Sequence, residues 1–284
     1  MAFAIRLDGE ALAAGLRRDL KQRVAGLRAR GVVPAIATVL VGGNPASLAY
    51  VGRKHADCAE LGIEAQGVRL PADIDQENLS REIDRLNADP ATHGFLVQLP
   101  LSARLDEAAA LKAVSPAKDI DGLHPENLGR LLAGRPGLLP CTPAGIVALL
   151  RHHDVPLAGR HVVVIGRGAL VGRPLAMLLS LPGVDATVTL AHSKTPDLAA
   201  LTRQADVIVA AAGQTDLVTA GMVRPGAAVV GAGITYVEGQ MVSDIADDVG
   251  EVAGWVTPRH GSVGALTRAM LLKNLIDIAE GEAG

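Results

Sequence analysis

Short apolar runs alternate with amphipathic stretches along most of the chain, and this alternation predicts its secondary structure. Runs rich in Val, Ile, Leu and Ala are typical of buried strands and occur at 34–41, 68–70, 94–99, 162–165, 187–191, 207–211 and 227–230. Apolar residues spaced three and four apart predict helices at 12–24, 45–61, 79–86, 105–114, 142–153, 173–181, 197–204 and 265–280. Strands that alternate with helices form parallel sheets. The pattern therefore predicts an α/β protein with two domains that change over near Cys141.

Local signals refine this pattern at three places. Asn44 before Pro45, and Thr142 before Pro143, each put a capping side chain ahead of a proline suited to the first helical position. The stretch 115–129 (SPAKDIDGLHPENLG) shows no period. We expect it to form a long functional loop.

The segment 162–174 carries the strongest local signal for a ligand. A predicted buried strand is followed by Gly166, Gly168 and Gly172 and then by a predicted helix. This order brings backbone N–H groups and a helix N-terminus to a pyrophosphate. The spacing G-x-G-x-x-x-G is one residue longer than the usual dinucleotide fingerprint, and glycines also follow strands in ordinary turns. The surrounding β/α alternation favours a nucleotide site.

The residues after the next strand indicate which dinucleotide is bound. NAD-specific folds place Asp or Glu at the end of the second strand. Here the run 187–191 is followed by His192, Ser193 and Lys194, none of them acidic. Arg167 and Ser193 can hold a 2′-phosphate through charge-assisted hydrogen bonds, although a solvated loop cation is the alternative for Arg167. We therefore expect NADP+ in preference to NAD+.

Composition excludes several classes of function. The 284 residues are 49% apolar and only 2% aromatic, with a net charge of −3. Without a Lys/Arg-rich run, nucleic acid is not expected as the main partner, and no apolar run reaches the roughly 18 residues that a membrane span needs. The two cysteines, Cys58 and Cys141, imply neither a disulfide framework nor a zinc site. We therefore expect no metal. The chain opens without a signal-peptide pattern, and we expect a cytoplasmic protein.

Tyr50 and Lys54 are the first candidates for chemistry. They lie four residues apart and share one face of the predicted helix 45–61. This helix starts at the carboxyl end of a strand, where open α/β sheets bind ligands. A lysine that points into a cleft loses solvation and becomes a usable proton donor or acceptor. The alternative is an exposed lysine beside a packing tyrosine.

Gln98, Asp119 and Asp121 are further candidates. Gln98 ends the predicted strand 94–99, where its amide can both donate and accept hydrogen bonds, or simply hold nearby backbone. Asp119 and Asp121 lie two apart in the predicted loop. A buried carboxylate there suits a ligand that presents two N–H groups, whereas an aspartate before Gly122 is also an ordinary turn residue.

Several segments together resemble the bifunctional bacterial methylenetetrahydrofolate dehydrogenase/methenyltetrahydrofolate cyclohydrolase family. The resemblance rests on G-N-P-A-S-x-x-Y-V-x-x-K at 43–54, N-x-D at 87–89, F-L-V-Q-L-P-L at 95–101, K-D-I-D-G-L-H-P at 118–125, L-P-C-T-P at 139–143 and V-I-G-R-G-x-x-V-G-R-P at 164–174. It covers nearly the whole chain. The Q-L-P and K-D-x-D-G segments are highly specific.

The resemblance implies two reactions in one cleft. NADP+ takes a hydride from 5,10-methylenetetrahydrofolate, and the 5,10-methenyl product is hydrolysed to 10-formyltetrahydrofolate. Lys54 would handle protons and activate water, and Gln98 would hydrogen-bond it. Tyr50 would pack on the folate and Asp121 would grip the pterin ring. The implied substrate-binding residues are Ser47, Tyr50, Gln98, Asp121 and Gly261, and the implied cofactor-binding residues are Gly166, Arg167, Gly168, Ser193, Ile234 and Thr267.

The resemblance also implies the domain organisation. An N-terminal α/β folate-binding catalytic domain would comprise 1–140 together with 258–284, because the C-terminal helix returns to it. A Rossmann-like NADP-binding domain would occupy 141–257. Members of the family usually form homodimers through the nucleotide domain, and we expect a homodimer here.

Three segments depart from the family pattern. Gly168 stands where serine is usual, and V-G-A-G-I-T at 230–235 replaces I-D-V-G-I-N. H-G-S-V-G-A-L-T at 260–267 replaces P-G-G-V-G-P-M-T. Losing two prolines predicts a less pre-organised loop, and Ser262 adds strain if its φ is positive. We expect a weak or specialised folate enzyme that the combined changes His260→Pro, Ser262→Gly and Ala265→Pro would improve.

Two other functions fit parts of the sequence. One is a different two-domain NADP-dependent dehydrogenase, such as a shikimate dehydrogenase-like enzyme, which the Q-L-P and K-D-I-D-G segments disfavour. The other is a divergent family member that binds folate or NADP as a sensor or partner. The altered 260–267 loop favours this role and Lys54 disfavours it.

Overall fold

The computed structural model describes residues 4–135, 137–237, 240–259 and 261–281, with only the backbone of 234–237 and 240–241. The α-helices are α1 (Gly9–Ala29), α2 (Pro45–Leu61), α3 (Gln76–Ala88), α4 (Glu107–Ala113), α5 (Pro125–Leu132), α6 (Cys141–His152), α7 (Gly172–Ser180), α8 (Leu198–Thr202) and α9 (Val263–Glu280). The strands are β1 (Ile5–Arg6), β2 (Ala35–Val41), β3 (Glu64–Leu70), β4 (Gly94–Val97), β5 (His161–Ile165), β6 (Thr187–Ala191), β7 (Val207–Ala210), β8 (Ala228–Gly231), β9 (Ile234–Val237), β10 (Gln240–Ser243) and β11 (Trp255–Val256). Single 3-10 turns lie at 116–118, 220–222 and 247–251.

The chain divides into two compact units. The three-stranded unit comprises Gly15–Leu139 and Arg268–Gly284, and the six-stranded unit comprises Met1–Ala14 and Pro140–Thr267. The predicted α/β class, with two parallel-sheet units and a C-terminal helix that returns to the first, is confirmed. The functional limits at 140 and 258 stay a prediction. Contacts group 1–14 and 258–267 with the six-stranded sheet, to which β1 belongs.

The three-stranded unit is built on the parallel sheet β3-β2-β4. All four residues of β4 are buried, and α3 packs its apolar face (Leu79, Ile83 and Leu86) into the same core as Phe95. Parallel strands point their carboxyl ends to one edge. β2 and β4 therefore end, at Val41 and Val97, on the same edge of the sheet. Helix α2 begins at this edge, and Gln98 directly follows β4 there.

The six-stranded unit has the parallel order β1-β11-β8-β7-β5-β6. β5 lies between β6 and β7, and Val162, Val163 and Val164 are fully buried, as a strand covered on both faces requires. The antiparallel pair β9–β10 stands apart from this sheet.

Several predicted element limits are corrected by the structure. The stretch 115–129 is not all loop, since Pro125 starts α5 and the side chain of His124 caps it by accepting a hydrogen bond from the N–H of Glu126 at 3.0 Å. α6 begins at Cys141 after Pro140, so Thr142 does not cap it. Strands β1, β9, β10 and β11 were not predicted, because they are two to four residues long and too short to show a period.

Gly94 provides a test of the packing that positions the 118–122 segment. A Cβ at Gly94 would overlap the Cγ2 atom of Ile120 and lie 3.2 Å from the carbonyl oxygen of Lys118. We expect Gly94→Ala to lower the free energy of unfolding by about 1–3 kcal/mol, the usual cost of overpacking. The measurement is urea denaturation.

Gly129→Ala is the matched control. Gly129 lies inside α5 with no heavy atom within 4 Å of its Cβ position. Alanine there should raise stability by about 0.5–1 kcal/mol, because glycine is entropically costly in a helix. Equal effects of the two changes would contradict the packing argument.

Candidate active site and dinucleotide-binding turn

α2 begins where β2 ends. Gly42 turns the chain with a φ of 78°. The side chain of Asn44 then accepts hydrogen bonds from the N–H groups of Ala46 (2.9 Å) and Ser47 (3.2 Å), and Pro45 takes the first helical position. The predicted cap is confirmed. One face of α2, carrying Ser47, Val51, Lys54 and Cys58, is thereby turned into the unit and buried.

Lys54 is buried, with 4% of its surface exposed. Its Nζ atom donates a hydrogen bond to Oε1 of Gln98 at 3.3 Å and lies 4.8 Å from the centre of the Tyr50 ring. The amide nitrogen of Gln98 donates in turn to the carbonyl oxygen of Leu99 at 2.8 Å, so the amide oxygen faces the lysine. The exposed-lysine alternative is therefore wrong for Lys54.

The 118–122 segment is held by three tethers. Lys118 donates hydrogen bonds to the carbonyl oxygens of Leu86 (3.1 Å) and Asp89 (2.6 Å). The buried Asp119 carboxylate accepts from the N–H of His124 at 2.7 Å and from the side chain of Asn127 at 2.9 Å.

The third tether is a parallel β-bridge between Asp119 and Phe95 of β4. Asp119 is therefore a structural carboxylate. The next aspartate of this segment is Asp121.

Asp121 belongs electrostatically to the Lys54 group. Burial raises the pKa of its carboxyl group, and the charge of Lys54 opposes that rise. The structure thus brings Tyr50, Lys54, Gln98 and Asp121 together in the three-stranded unit, with Ser47 on the same face of α2. Gly261 lies in the six-stranded unit.

His55 is a neighbour of Lys54 that the sequence did not predict as part of the site. Its Nε2 atom shares a hydrogen bond with Oγ1 of Thr38 at 2.8 Å. Burial, and secondarily the charge of Lys54, lowers the pKa of His55. A neutral imidazole directly after Lys54 adds no further positive charge to the group. In the sequence, only its position directly after Lys54 indicates that His55 belongs to this group.

The glycines at 166 and 172 are required by close backbone contacts. Gly166 has a φ of 116°, and a Cβ there would overlap the carbonyl oxygen of Ala211. A Cβ at Gly172 would overlap the carbonyl oxygen of Gly166. Gly168 differs, because no heavy atom lies within 4 Å of its Cβ position. Open space at Gly168 beside a tight turn is the kind of cradle that a phosphate fills.

The residues present fit a dinucleotide. α7 starts at Gly172 with no side-chain cap, which leaves its first turn able to bind an anion. Arg167 and Ser193 are exposed, at the turn after β5 and at the end of β6. The N–H of Lys194 donates to Nδ1 of His192 at 3.1 Å, which fixes the 192–195 turn.

The last predicted cofactor residues belong to two other segments. Thr267 shares a hydrogen bond with Thr142 at 2.9 Å and donates to the carbonyl oxygen of Val263 at 3.0 Å. The side chain of Ile234 and all of His260 lie outside the described residues.

Ser262 compensates for its own strain. It adopts the positive φ of 79° that the sequence analysis raised as a cost, and it is 1% exposed. Its hydroxyl donates to the carbonyl oxygen of Leu7 at 3.0 Å and accepts from the N–H of Gly9 at 3.2 Å. Replacing it by glycine would remove both hydrogen bonds, which the expected gain from Ser262→Gly did not include.

Two features are absent from the described residues. None of the helices in these ranges combines the length and apolarity required to cross a membrane. Nor do the described side chains gather three His, Cys, Asp or Glu residues that could hold a metal ion.

The parallel sheets, the glycine turn and the buried Lys54 define an α/β enzyme with a dinucleotide-binding unit. Two family models match the chain: the tetrahydrofolate dehydrogenase/cyclohydrolase catalytic domain over residues 7–121, and the NAD(P)-binding domain of the same family over residues 140–283. The chain belongs to the tetrahydrofolate dehydrogenase/cyclohydrolase family.

Solved structures agree with this membership. The chain is 40% identical to a bifunctional methylenetetrahydrofolate dehydrogenase/cyclohydrolase from Campylobacter jejuni, with a TM-score of 0.95 and coverage of 98% of this chain and 99% of that one. It is also 40% identical to the Trypanosoma brucei methylenetetrahydrofolate dehydrogenase-cyclohydrolase, complexed with NADP cofactor and inhibitor, with a TM-score of 0.94 and 99% coverage of both chains.

The shikimate dehydrogenase alternative has a counterpart in fold alone. A shikimate 5-dehydrogenase from Thermus thermophilus matches at 17% identity and a TM-score of 0.53, over 87% of this chain and 99% of that one. The shared feature is the two-unit α/β architecture. The family membership therefore replaces this alternative.

Substitutions at Ser262 separate its strain from its hydrogen bonds. Ser262→Ala keeps the positive φ and loses both hydrogen bonds, at a cost of about 1–3 kcal/mol. Ser262→Gly loses the same bonds but relieves about 1 kcal/mol of strain. We expect the melting temperature to fall in the order parent, glycine variant, alanine variant. A glycine variant more stable than the parent would contradict the compensating role of the hydroxyl.

Proposed function

We propose that the chain oxidises 5,10-methylenetetrahydrofolate with NADP+ and hydrolyses the 5,10-methenyl product to 10-formyltetrahydrofolate. Family membership supports both activities. The observation that carries the proposal for this chain is Lys54, which is buried, held by Gln98 and next to the Tyr50 ring. The sensor alternative would not need a buried lysine held in this way.

Lys54 is the proposed acid–base residue. Hydrolysis of the methenyl carbon requires a water to lose a proton, and a positioned amine can accept it and return it to the breaking C–N bond. The hydrogen bond from Nζ to Oε1 of Gln98 fixes the position of the amine. Gln98 carries no charge, so it holds Lys54 by a hydrogen bond and not by an ion pair.

Tyr50, Asp121 and Ser47 are the proposed substrate-binding residues of the same unit. The Tyr50 ring offers an aromatic face to the folate. The pterin edge presents a ring N–H and an amino group, which a carboxylate accepts as a pair. Burial raises the pKa of Asp121, so it disfavours the charged carboxylate. Hydrogen bonds from the pterin edge would stabilise that charged form. Gly261, in the other unit, is proposed as a further contact from the family resemblance alone.

The six-stranded unit is the proposed NADP+ site. When bound, NADP+ supplies the hydride acceptor of the oxidation. Gly166, Gly168 and the first turn of α7 would hold the pyrophosphate, and Arg167 with Ser193 would hold the 2′-phosphate. Ile234 and Thr267 are proposed cofactor contacts as well. The Trypanosoma brucei relative carries NADP.

We further propose that the protein is a cytoplasmic homodimer that acts on folate one-carbon derivatives. The dimer is expected from the family resemblance.

The role of Lys54 is tested by Lys54→Met. Loss of the proton carrier should lower cyclohydrolase turnover by about 10²–10⁴-fold, the usual contribution of general acid–base catalysis. NADP+ binding should persist. The measurements are the absorbance loss of methenyltetrahydrofolate and NADP+ titration by calorimetry. Arg53→Met is the control, because Arg53 is the preceding residue of α2 and is exposed. Parental turnover in Lys54→Met would refute the assignment.

The cofactor preference is tested by Arg167→Ala. Removing the guanidinium should raise KM for NADP+ about ten-fold or more and leave KM for NAD+ nearly unchanged, because only NADP+ carries the 2′-phosphate. Arg160→Ala is the control, since Arg160 precedes β5 whereas Arg167 follows it. Equal KM values for the two cofactors in the parent would overturn the NADP+ assignment.

A further inference from the structure

Asp244 is a fully buried carboxylate that directly follows β10. Its Oδ2 atom accepts hydrogen bonds from the N–H groups of Ala212 at 2.8 Å and Gly213 at 3.1 Å, and its Oδ1 atom accepts from the N–H of Gln214 at 2.9 Å. Three successive backbone N–H groups thus converge on one side chain. Among the described residues no cationic side chain lies within ion-pairing distance of Asp244.

The three N–H groups belong to the segment 211–214, which follows β7 at the carboxyl edge of the sheet. The N–H of Ala211 donates to the carbonyl oxygen of Ile165, the last residue of β5, at 2.7 Å. The carbonyl oxygen of Ala211 fills the space where a Cβ of Gly166 would lie. The segment 211–214 is therefore packed directly on the proposed phosphate turn.

Sheet order shows which side of the turn this segment flanks. β6, which leads to Ser193, lies on one side of β5, and β7 lies on the other. In such sheets the dinucleotide lies across the carboxyl ends of the strands at the point where the order reverses. Because Ser193 follows β6 and Arg167 lies in the turn after β5, the proposed 2′-phosphate half lies on the β6 side. The segment 211–214 borders the other half of the cofactor, which carries the nicotinamide.

We propose that Asp244 is a positioning residue for the nicotinamide half of NADP+, acting through the backbone of 211–214. The inference rests on the proposed NADP+ site. Asp244 fixes three successive peptide groups beyond the end of β7. It thereby positions the backbone that the nicotinamide ribose would contact.

Gly233 supports this role independently. A Cβ at Gly233 would overlap Oδ2 of Asp244. The backbone N–H of Gly233 donates to the carbonyl oxygen of Ala210 at 3.1 Å. This hydrogen bond joins the segment after β8 to the end of β7. The glycine leaves the room that the carboxylate occupies.

Asp206 supplies the contrast. Its carboxylate also accepts a backbone hydrogen bond, from the N–H of His161 at 2.8 Å, and pairs with Arg224 at 2.5 Å. It precedes β7, at the amino edge of the same sheet, and has no part in the proposed cofactor site. A carboxylate that only ties sheet segments together should behave like Asp206.

The test compares Asp244→Asn with Asp206→Asn in the full-length protein. An asparagine has one acceptor oxygen and turns an NH2 group toward the other side, so at least one of the three N–H groups loses its hydrogen bond to this side chain. For Asp244→Asn we expect Kd for NADP+ to rise about ten-fold, by calorimetry, and kcat/KM of the dehydrogenase to fall with it. Cyclohydrolase activity, which uses no NADP+, should stay near the parental value.

The ratio of NADP+ to NAD+ affinity is the second readout. It should not change in Asp244→Asn, because both cofactors share the nicotinamide half and differ only at the 2′-phosphate. Asp206→Asn should leave Kd for NADP+ at the parental value even where it lowers the melting temperature. Gly233→Ala displaces the Asp244 carboxylate without changing its chemistry and should reproduce the Asp244→Asn result.

Three outcomes would overturn the inference. One is a parental Kd for NADP+ in Asp244→Asn. Another is a parallel loss of dehydrogenase and cyclohydrolase activity in step with the melting temperature, which indicates a structural role only. The third is a change in the NADP+/NAD+ ratio.

If Asp244→Asn does not fold, the same criteria applied to Gly233→Ala decide. A parent that binds NADP+ but oxidises no methylenetetrahydrofolate would contradict the proposed function, while the binding comparison would still decide the role of Asp244.

Discussion

A buried amino group requires hydrogen-bond partners in place of water, and the three-stranded unit meets that requirement at Lys54. Gln98 provides the acceptor from the end of β4, and Tyr50 provides an aromatic face from one turn earlier in α2. Asp121 provides a carboxyl group in a segment that the hydrogen bonds of Asp119 and Lys118 hold in place. The proposed role of the Lys54 amine thus depends on a strand end, a helix face and a tethered loop.

Burial acts differently on the ionisable groups around Lys54. It raises the pKa of the Asp121 carboxyl group, and it raises the pKa of Cys58, one turn further along α2, to about 12. It lowers the pKa of His55. The thiol therefore stays protonated and the imidazole neutral at neutral pH, so neither adds a charge to this face of α2.

The six-stranded unit relies on backbone contacts more than on side chains. Gly166 and Gly172 allow peptide groups to approach more closely than any Cβ would permit, and Gly233 leaves room for a buried carboxylate. Departures from the family pattern have local solutions here. Gly168 leaves open space beside the turn. Ser262 has a strained backbone, and its hydroxyl makes two compensating hydrogen bonds to the N-terminal segment.

The sequence by itself determined the α/β class, the main strands and helices, the cap at Asn44, and Tyr50 and Lys54 as a pair on one helix face. These features follow from periodicity and spacing within a few residues. Motif resemblance added the family.

Only the tertiary structure decided that Asp119 is structural, because its role depends on partners such as Asn127 and Phe95. It also decided the strands β1 and β11, whose two residues are ordered by pairing alone. The roles of Ser262 and Asp244 were likewise hidden, since each depends on backbone groups that are distant in sequence and have no signature in residue type.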